Sequence, residues 1–218
     1  MIPLSSLWHV LKNRHNLLVF CFTAMNWGIF YSLQTVIGKK YLEDFCDMPT
    51  QTAAIALSAT SIFSAFGGFF YAWFSKKIGN RRRPFCRLTA VVTPLSCILL
   101  LALTAFGIKS YISVIILICL GSVSSLSSTM IPVLRETNPE EITGSAIAVL
   151  NCLCYLAVAI FGDIIGHCLE SFPAMEEGTK LIYPAAAYTM VFAIVSAFAL
   201  LITFCGFKLK ETNGKRIY

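Results

Sequence analysis

Leu88 to Ile108 reads LTAVVTPLSCILLLALTAFGI, twenty-one residues without one Lys, Arg, Asp, Glu or His. Wound as a helix at about 1.5 Å per residue, this stretch covers the roughly 30 Å hydrocarbon core of a bilayer. Five more uncharged runs flank it: Asn16 to Gly38 (23 residues), Met48 to Ser75 (28), Ser110 to Leu134 (25), Ile142 to Gly162 (21) and Leu181 to Phe207 (27). A bilayer admits only helices or closed barrels, and barrel strands of about ten residues would alternate polar and apolar side chains, which these runs do not. The predicted fold is an all-α membrane protein, a single domain over 1–218 with six transmembrane helices at about 16–38, 51–75, 88–108, 110–134, 142–166 and 181–207. Composition agrees, because 57% of the 218 residues are hydrophobic and 13% charged, against about a quarter charged in a soluble domain.

Basic residues are retained on the cytoplasmic side of a membrane. One set of alternate segments holds thirteen Lys and Arg, among them Lys76, Lys77, Arg81, Arg82, Arg83 and Arg87, and the other set holds four: Lys39, Lys40, Lys109 and Lys180. This asymmetry predicts a multi-pass protein of the cell (inner) membrane with both termini cytoplasmic. The first run is too long for a signal-peptide core and no cleavage pattern follows it, so it reads as a span. The net charge of +6 is then a topogenic signal, and the run Arg81 to Arg83 needs no nucleic-acid partner.

No phosphate-binding Gly-rich loop and no dinucleotide fingerprint occurs, so no cofactor is expected. Cys46 and Cys168 fall near the outer side and are the two thiols placed for a bridge in an oxidising compartment, although nothing in the sequence brings them together. Cys152 and Cys154 lack metal-ligand spacing. Every connection is short, which leaves transport, intramembrane catalysis or an assembly role.

Several polar positions bear on that choice. Trp27, Tyr31 and Gln34 form one stripe of the first span with Asn26 beside it, and amides in hydrocarbon need a partner or a cavity. Asn151 and Tyr155 repeat the pattern on the fifth span. Ala56, Thr60, Ser64 and Gly68 line one helix face with small residues, as do Gly121, Ser125 and Thr129, and such ridges let backbones approach closely. The added hydroxyls of Ser122, Ser124, Ser127 and Ser128 read either as further packing or as the lining of a wet pathway. Asp163 and His167 are four apart, so on a continuous helix they meet and form a candidate proton relay; on a helix ending near Gly162 both are simply solvated. A six-span serine protease is disfavoured, because Leu126 stands where the motif around Ser124 needs its second Gly and the His falls on the wrong span.

The connection Ser75-Lys76-Lys77-Ile78-Gly79-Asn80-Arg81-Arg82-Arg83-Pro84 resembles the short cytoplasmic loop motif of major facilitator superfamily transporters. Lys77, Gly79 and Arg81 match it, while Ala72 stands for its first Gly and Lys76 for its Asp. Arg135 to Ala146, with Glu136, Pro139 and Gly144, is similar to the junction of that family's tenth and eleventh helices. Leu11-Lys12-Asn13-Arg14 before Asn26-Trp27-Gly28 is similar to the start of its seventh. The resemblance implies the carboxy-terminal half of a twelve-helix transporter: two inverted three-helix repeats, alternating access, and proton- or ion-coupled nutrient uptake, of an amino acid or a nucleoside. It places Asn26, Tyr31, Gln34, Ser124 and Ser128 on the substrate cavity and makes Lys77, Gly79, Arg81, Arg82 and Arg83 a cytoplasmic latch; Asp163 and His167, by their spacing alone, stand beside it as the candidate proton-coupling pair. The implied partners are the bilayer, a small solute and a second six-helix half, whether a separate chain, a fused upstream segment or a second copy. The alternative is a truncated or partner-binding six-helix subunit without transport.

Overall fold

In the computed structural model, residues 4–125, 129–177 and 180–217 are described. Backbone N–H and C=O groups placed in lipid must bond within their own segment, and the chain accordingly forms helices almost throughout: α1 (Leu4–Lys12), α2 (Arg14–Ser32), a π-helical turn (Leu33–Ile37), α3 (Gly38–Asp44), α4 (Thr50–Lys77), α5 (Arg83–Ala105), α6 (Ile112–Ser124), α7 (Met130–Thr137), α8 (Glu140–Glu170) and α9 (Ala185–Lys208). Between α8 and α9 lies a small antiparallel hairpin, β1 (Met175–Glu177) and β2 (Lys180–Ile182), which pairs Met175 with Ile182 and Glu177 with Lys180. The hydropathy pattern gave no sign of it.

Among the described residues five helices are long and apolar enough to cross a membrane: Arg14–Asp44, α4, α5, α8 and α9. The expected fourth span, 110–134, is different. It contains α6 of 13 residues and α7 of 8, with 126–128 outside the described residues. Two features oppose one continuous helix here. Ser122 and Ser125 hydroxyls bond back to the carbonyls of Ile118 (2.9 Å) and Ser122 (2.6 Å), which competes with and bends a helix. Pro132, in the first turn of α7, has no N–H with which to continue the ladder backwards. The expected first and fifth spans are longer than the uncharged runs, because Arg14 and Lys39 to Asp44 continue the first helix and Glu140, Glu141 and Asp163 to Glu170 extend the fifth.

Packing follows a repeating scheme: α2 lies on α8, α4 on α6, α5 on α9, α2 also on α9, and α5 also on α6. Phe22, Ile29, Leu33, Leu100, Leu120, Tyr188 and Phe192 fill the middle. In lipid, attraction between helices comes from close packing and hydrogen bonds rather than from expelled water. At the α4/α6 crossing a Cβ on Gly121 would stand 2.9 Å from the Thr60 carbonyl oxygen, and one on Gly67 2.7 Å from that of Ser122. The small-residue ridges are thus used for contact. Pro94 interrupts the ladder of α5 and leaves the Ala90 carbonyl without its helical donor; the Thr203 hydroxyl of α9 supplies the missing bond at 2.7 Å.

The two ends of the bundle carry different polar clusters. At one end Asp44, its side chain 5% exposed, pairs with Lys40 (3.1 Å) and accepts from the Tyr188 hydroxyl (2.7 Å) and the Tyr183 N–H (3.1 Å). Lys109 pairs there with Asp47 at 2.6 Å, and Lys180 donates to Thr50 at 3.1 Å. Cys46 is buried beside Ser113 and Cys168 is buried on α8; both are free thiols, so the pairing considered from sequence is not made. At the other end Asn16 and Asn138 exchange amide hydrogen bonds of 2.8 and 2.9 Å, and the Lys210 N–H reaches the His15 ring at 3.3 Å.

Candidate functional site

A cleft of about 370 Å³ opens where α2, α4, α6, α7 and α8 converge. Helical periodicity sets its walls. Thr23, Trp27 and Tyr31 lie at intervals of four on α2 and present one face, with the Trp27 and Tyr31 rings stacked at 4.4 Å between centroids. Ser64 and Gly68 line it from α4, Ser125 from the end of α6, and Asn151, Cys154 and Tyr155 from α8. Tyr155 is 71% exposed, so the cleft is open on that side. Among the described residues its lining contains hydroxyls, an amide and aromatic rings but no ionisable carboxylate, amine or imidazole.

The candidate cavity residues divide accordingly. Tyr31 lines the cleft. Asn26, 1% exposed, instead faces inward, accepting from Thr93 (2.8 Å) and reaching the Ser124 carbonyl and hydroxyl at 3.5 Å. Ser124 is buried with it, so these two tie α2, α5 and α6 together behind the cleft wall. Gln34 stands in the π-helical turn and bonds Ser61 of α4, outside the cleft lining. Ser128 lies outside the described residues. Ser64, Gly68 and Asn151 also line the cleft, on the small-residue ridge and the Asn151/Tyr155 pair legible in the sequence, whereas Thr23, one turn before Trp27 on the same stripe, is an addition that only the packing reveals.

The loop after α4 is built as a helix stop. Gly79 (φ +79°) and Asn80 (φ +57°) are left-handed, with the Asn80 N–H bonded to the Ser75 carbonyl (2.8 Å) and the Gly79 N–H to that of Lys76 (3.2 Å). This is the double bond-back that ends helices at glycine. It delivers Arg82 to Glu136 at 2.9 Å, both largely buried. Glu211, from the tail after α9, accepts from the backbone N–H groups of Arg82 (2.8 Å) and Arg83 (2.9 Å) at the start of α5. Thr212 donates to Glu136, the Ile217 N–H reaches the Glu136 carbonyl (2.9 Å), and Arg216 pairs with Glu140. Burial pushes the Glu211 carboxyl up, but the N–H groups of Arg82, Arg83, Asn213 and Thr212 outweigh it and hold the group below its ordinary value. Lys76 occupies the motif's acidic position, and the acidic contacts come instead from Glu136 and Glu211. Lys77 stands apart, over the Trp73 ring at 5.2 Å.

Asp163 and His167 do meet, since α8 continues to Glu170: the imidazole Nδ1 lies 3.5 Å from the Asp163 carboxylate and 3.0 Å from its backbone carbonyl. Both side chains are about three-quarters exposed, and neither lines the cleft. Among the described residues no three His, Cys, Asp or Glu side chains gather as a metal site.

Long apolar helices around a polar and aromatic cleft define a multi-pass membrane protein of the transport class. The chain belongs to the Major Facilitator Superfamily, whose family model matches residues 2–162. Members of that family are membrane transporters and not enzymes. No curated protein matches the chain.

Proposed function

We propose that the chain forms one six-helix half of a secondary transporter that carries a small solute by alternating access, the solute being bound between this half and a second one. The observation that carries the proposal is the cleft itself: it is lined from both halves of the chain, α2 and α4 on one side and α6, α7 and α8 on the other, and left open along the α4 and α8 rims. Ile62, Phe63, Phe66 and Phe70 on α4 and Tyr155, Leu156 and Ile160 on α8 are all exposed, and a second half would cover part of this surface. The packing scheme supports two inverted three-helix repeats. Exchanging the first, second and third spans with the fourth, fifth and sixth turns the α2/α8 contact into the α6/α4 contact and the α2/α9 contact into α6/α5, and returns α5/α9 to itself. The polar clusters at the two ends support six crossings with both termini on the side of Arg82.

The lining favours an uncharged solute with a ring. Among the described residues no side chain in the cleft would neutralise a carboxylate or ammonium group, whereas the Trp27–Tyr31 stack and Asn151 offer a ring face and paired amide hydrogen bonds. Of the two solutes implied by the family resemblance, a nucleoside fits this lining better than an amino acid. The test is uptake of radiolabelled uridine by vesicles holding the chain with a complementary six-helix half. Trp27→Ala is expected to reduce uptake at least about fivefold without loss of the protein from the membrane, since a stacked ring contributes about 1–3 kcal/mol to holding a base. Equal uptake by vesicles with and without the chain would end the transport reading in favour of a partner-binding subunit. Coupling is assigned to Asp163 and His167 as a solvent-facing proton pair; acid-gradient stimulation that persists unchanged in Asp163→Asn removes them from that role.

A further inference from the structure

A second cavity, of about 320 Å³, lies at the Arg82 end of the bundle and is lined by Arg81, Arg83, Pro84, Arg87, Glu211 and Asn213. Three guanidinium groups face one carboxylate, and that carboxylate is committed to the backbone N–H groups of Arg82 and Arg83. Among the described residues none of the three guanidinium groups is in an ion pair. The Arg83 Nε is buried without a hydrogen-bond partner, and its Nη2 reaches only the Phe207 carbonyl at 3.5 Å. Arg87 sits over the Phe207 ring at 5.7 Å. A cavity with this surplus of planar donors fits an anion that accepts bidentate bonds, a phosphate above all.

The surroundings decide which phosphate. Directly beyond Arg87 on the same face of α5 come Leu88, Val91 and Leu95, and beside them on α9 Phe207, Phe204 and Leu200, all exposed. Lys208 lies over the Phe204 ring at 4.1 Å, a basic group folded onto an apolar surface as at a water–lipid boundary. A free phosphate would use the arginines and leave this strip unused; a phospholipid uses both. We propose that the cavity holds the phosphate headgroup of an anionic phospholipid, forked between Arg81, Arg83 and Arg87, with its acyl chains along the α5/α9 strip. Basic pockets between membrane helices favour such headgroups. The site is separate from the cleft and requires no second half.

Native mass spectrometry of the detergent-solubilised full chain, titrated with phosphatidylglycerol and with phosphatidylcholine, tests the assignment. Phosphatidylglycerol is expected to be retained preferentially, and each Arg→Gln change at 81, 83 or 87 to weaken it about fivefold. Arg87→Gln decides the matter by itself if the Arg81 or Arg83 variant fails to fold, because Arg87 is exposed and outside the Glu136 and Glu211 contacts. Lys12→Gln/Arg14→Gln, which removes exposed basic charge outside the cavity lining, is expected to leave the preference intact. The proposal is overturned if Arg87→Gln keeps the wild-type preference, if the Lys12/Arg14 variant loses it to the same extent, or if inorganic phosphate at equal concentration displaces the lipid, which would make this a free-anion site.

Discussion

Thr203 shows how a single hydroxyl can be structural in lipid. Its bond to the Ala90 carbonyl repairs the gap left by Pro94, and without water no other donor is at hand. Thr203→Val, nearly equal in volume, is expected to lower stability by about 1 kcal/mol, while Thr203→Ser keeps the bond and most of the stability; thermal unfolding in detergent measures both. Glu211 gives a pH signature. Its folded-state pKa lies below that of the unfolded chain, so its contribution is complete above the ordinary carboxylate range near pH 4.3 and is lost as pH falls through the lower folded value. Acid release of the tail, followed by proteolysis after Lys208 or Lys210, is expected to show this step in the wild type and to lose it in Glu211→Gln. Neither partnership was legible in the sequence. Arg82 and Glu211 are 129 positions apart, and no local pattern marks Glu136 or Glu211 as the substitute for the acidic residue that Lys76 replaces. Asn26 was legible as an amide needing a partner, but its partner is Thr93 on another helix, 67 positions away.

At the level of elements, uncharged runs locate α5 and α9 but not their ends, since α5 begins at Arg83 with Arg87 inside it and α9 runs from Ala185 to Lys208, long basic side chains reaching water from within a helix. They predict less well where the helix continues into water, as with the last turns of α8, or where it changes winding. The π-helical turn at Leu33–Ile37 leaves no hydropathy signal, since one extra residue per turn only rotates the stripe that follows. Gly38 is its sequence trace: a Cβ there would stand 2.4 Å from the Leu33 carbonyl oxygen. Gly38→Ala therefore must displace the turn, and a destabilisation of about 1–3 kcal/mol is expected from the overpacking, with loss of the Gln34–Ser61 contact. An unchanged melting curve would show that the turn relaxes to regular α-helix at no cost. The ends of α6 and α7 have visible signals, the Ser122 and Ser125 hydroxyls and Pro132, but an uncharged run of 25 residues masks them in any count based on charge alone.

For the whole molecule, the decisive question is what faces α4. A helix exposed over most of its circumference must be met by lipid or by protein, and the two faces of α4 separate these cases. Ser64 points into the cleft, whereas Phe69 is 77% exposed and lies half a turn away. If the cleft is the wet, half-covered pathway of an alternating-access transporter, Ser64→Cys is expected to react with a membrane-impermeant maleimide above the background of the native thiols, and to be protected when the complementary half and uridine are both present. Phe69→Cys, on the apolar face with Ile62 and Phe66 that lipid or the second half covers, is expected to stay unreactive in either condition. Protection by the second half without solute would indicate simple occlusion, and reaction of both cysteines at equal rates would mean that α4 borders water on all sides, which no lipid-embedded half-transporter permits. A general loss of folding would alter both positions of the helix alike, so it cannot imitate the expected difference between them.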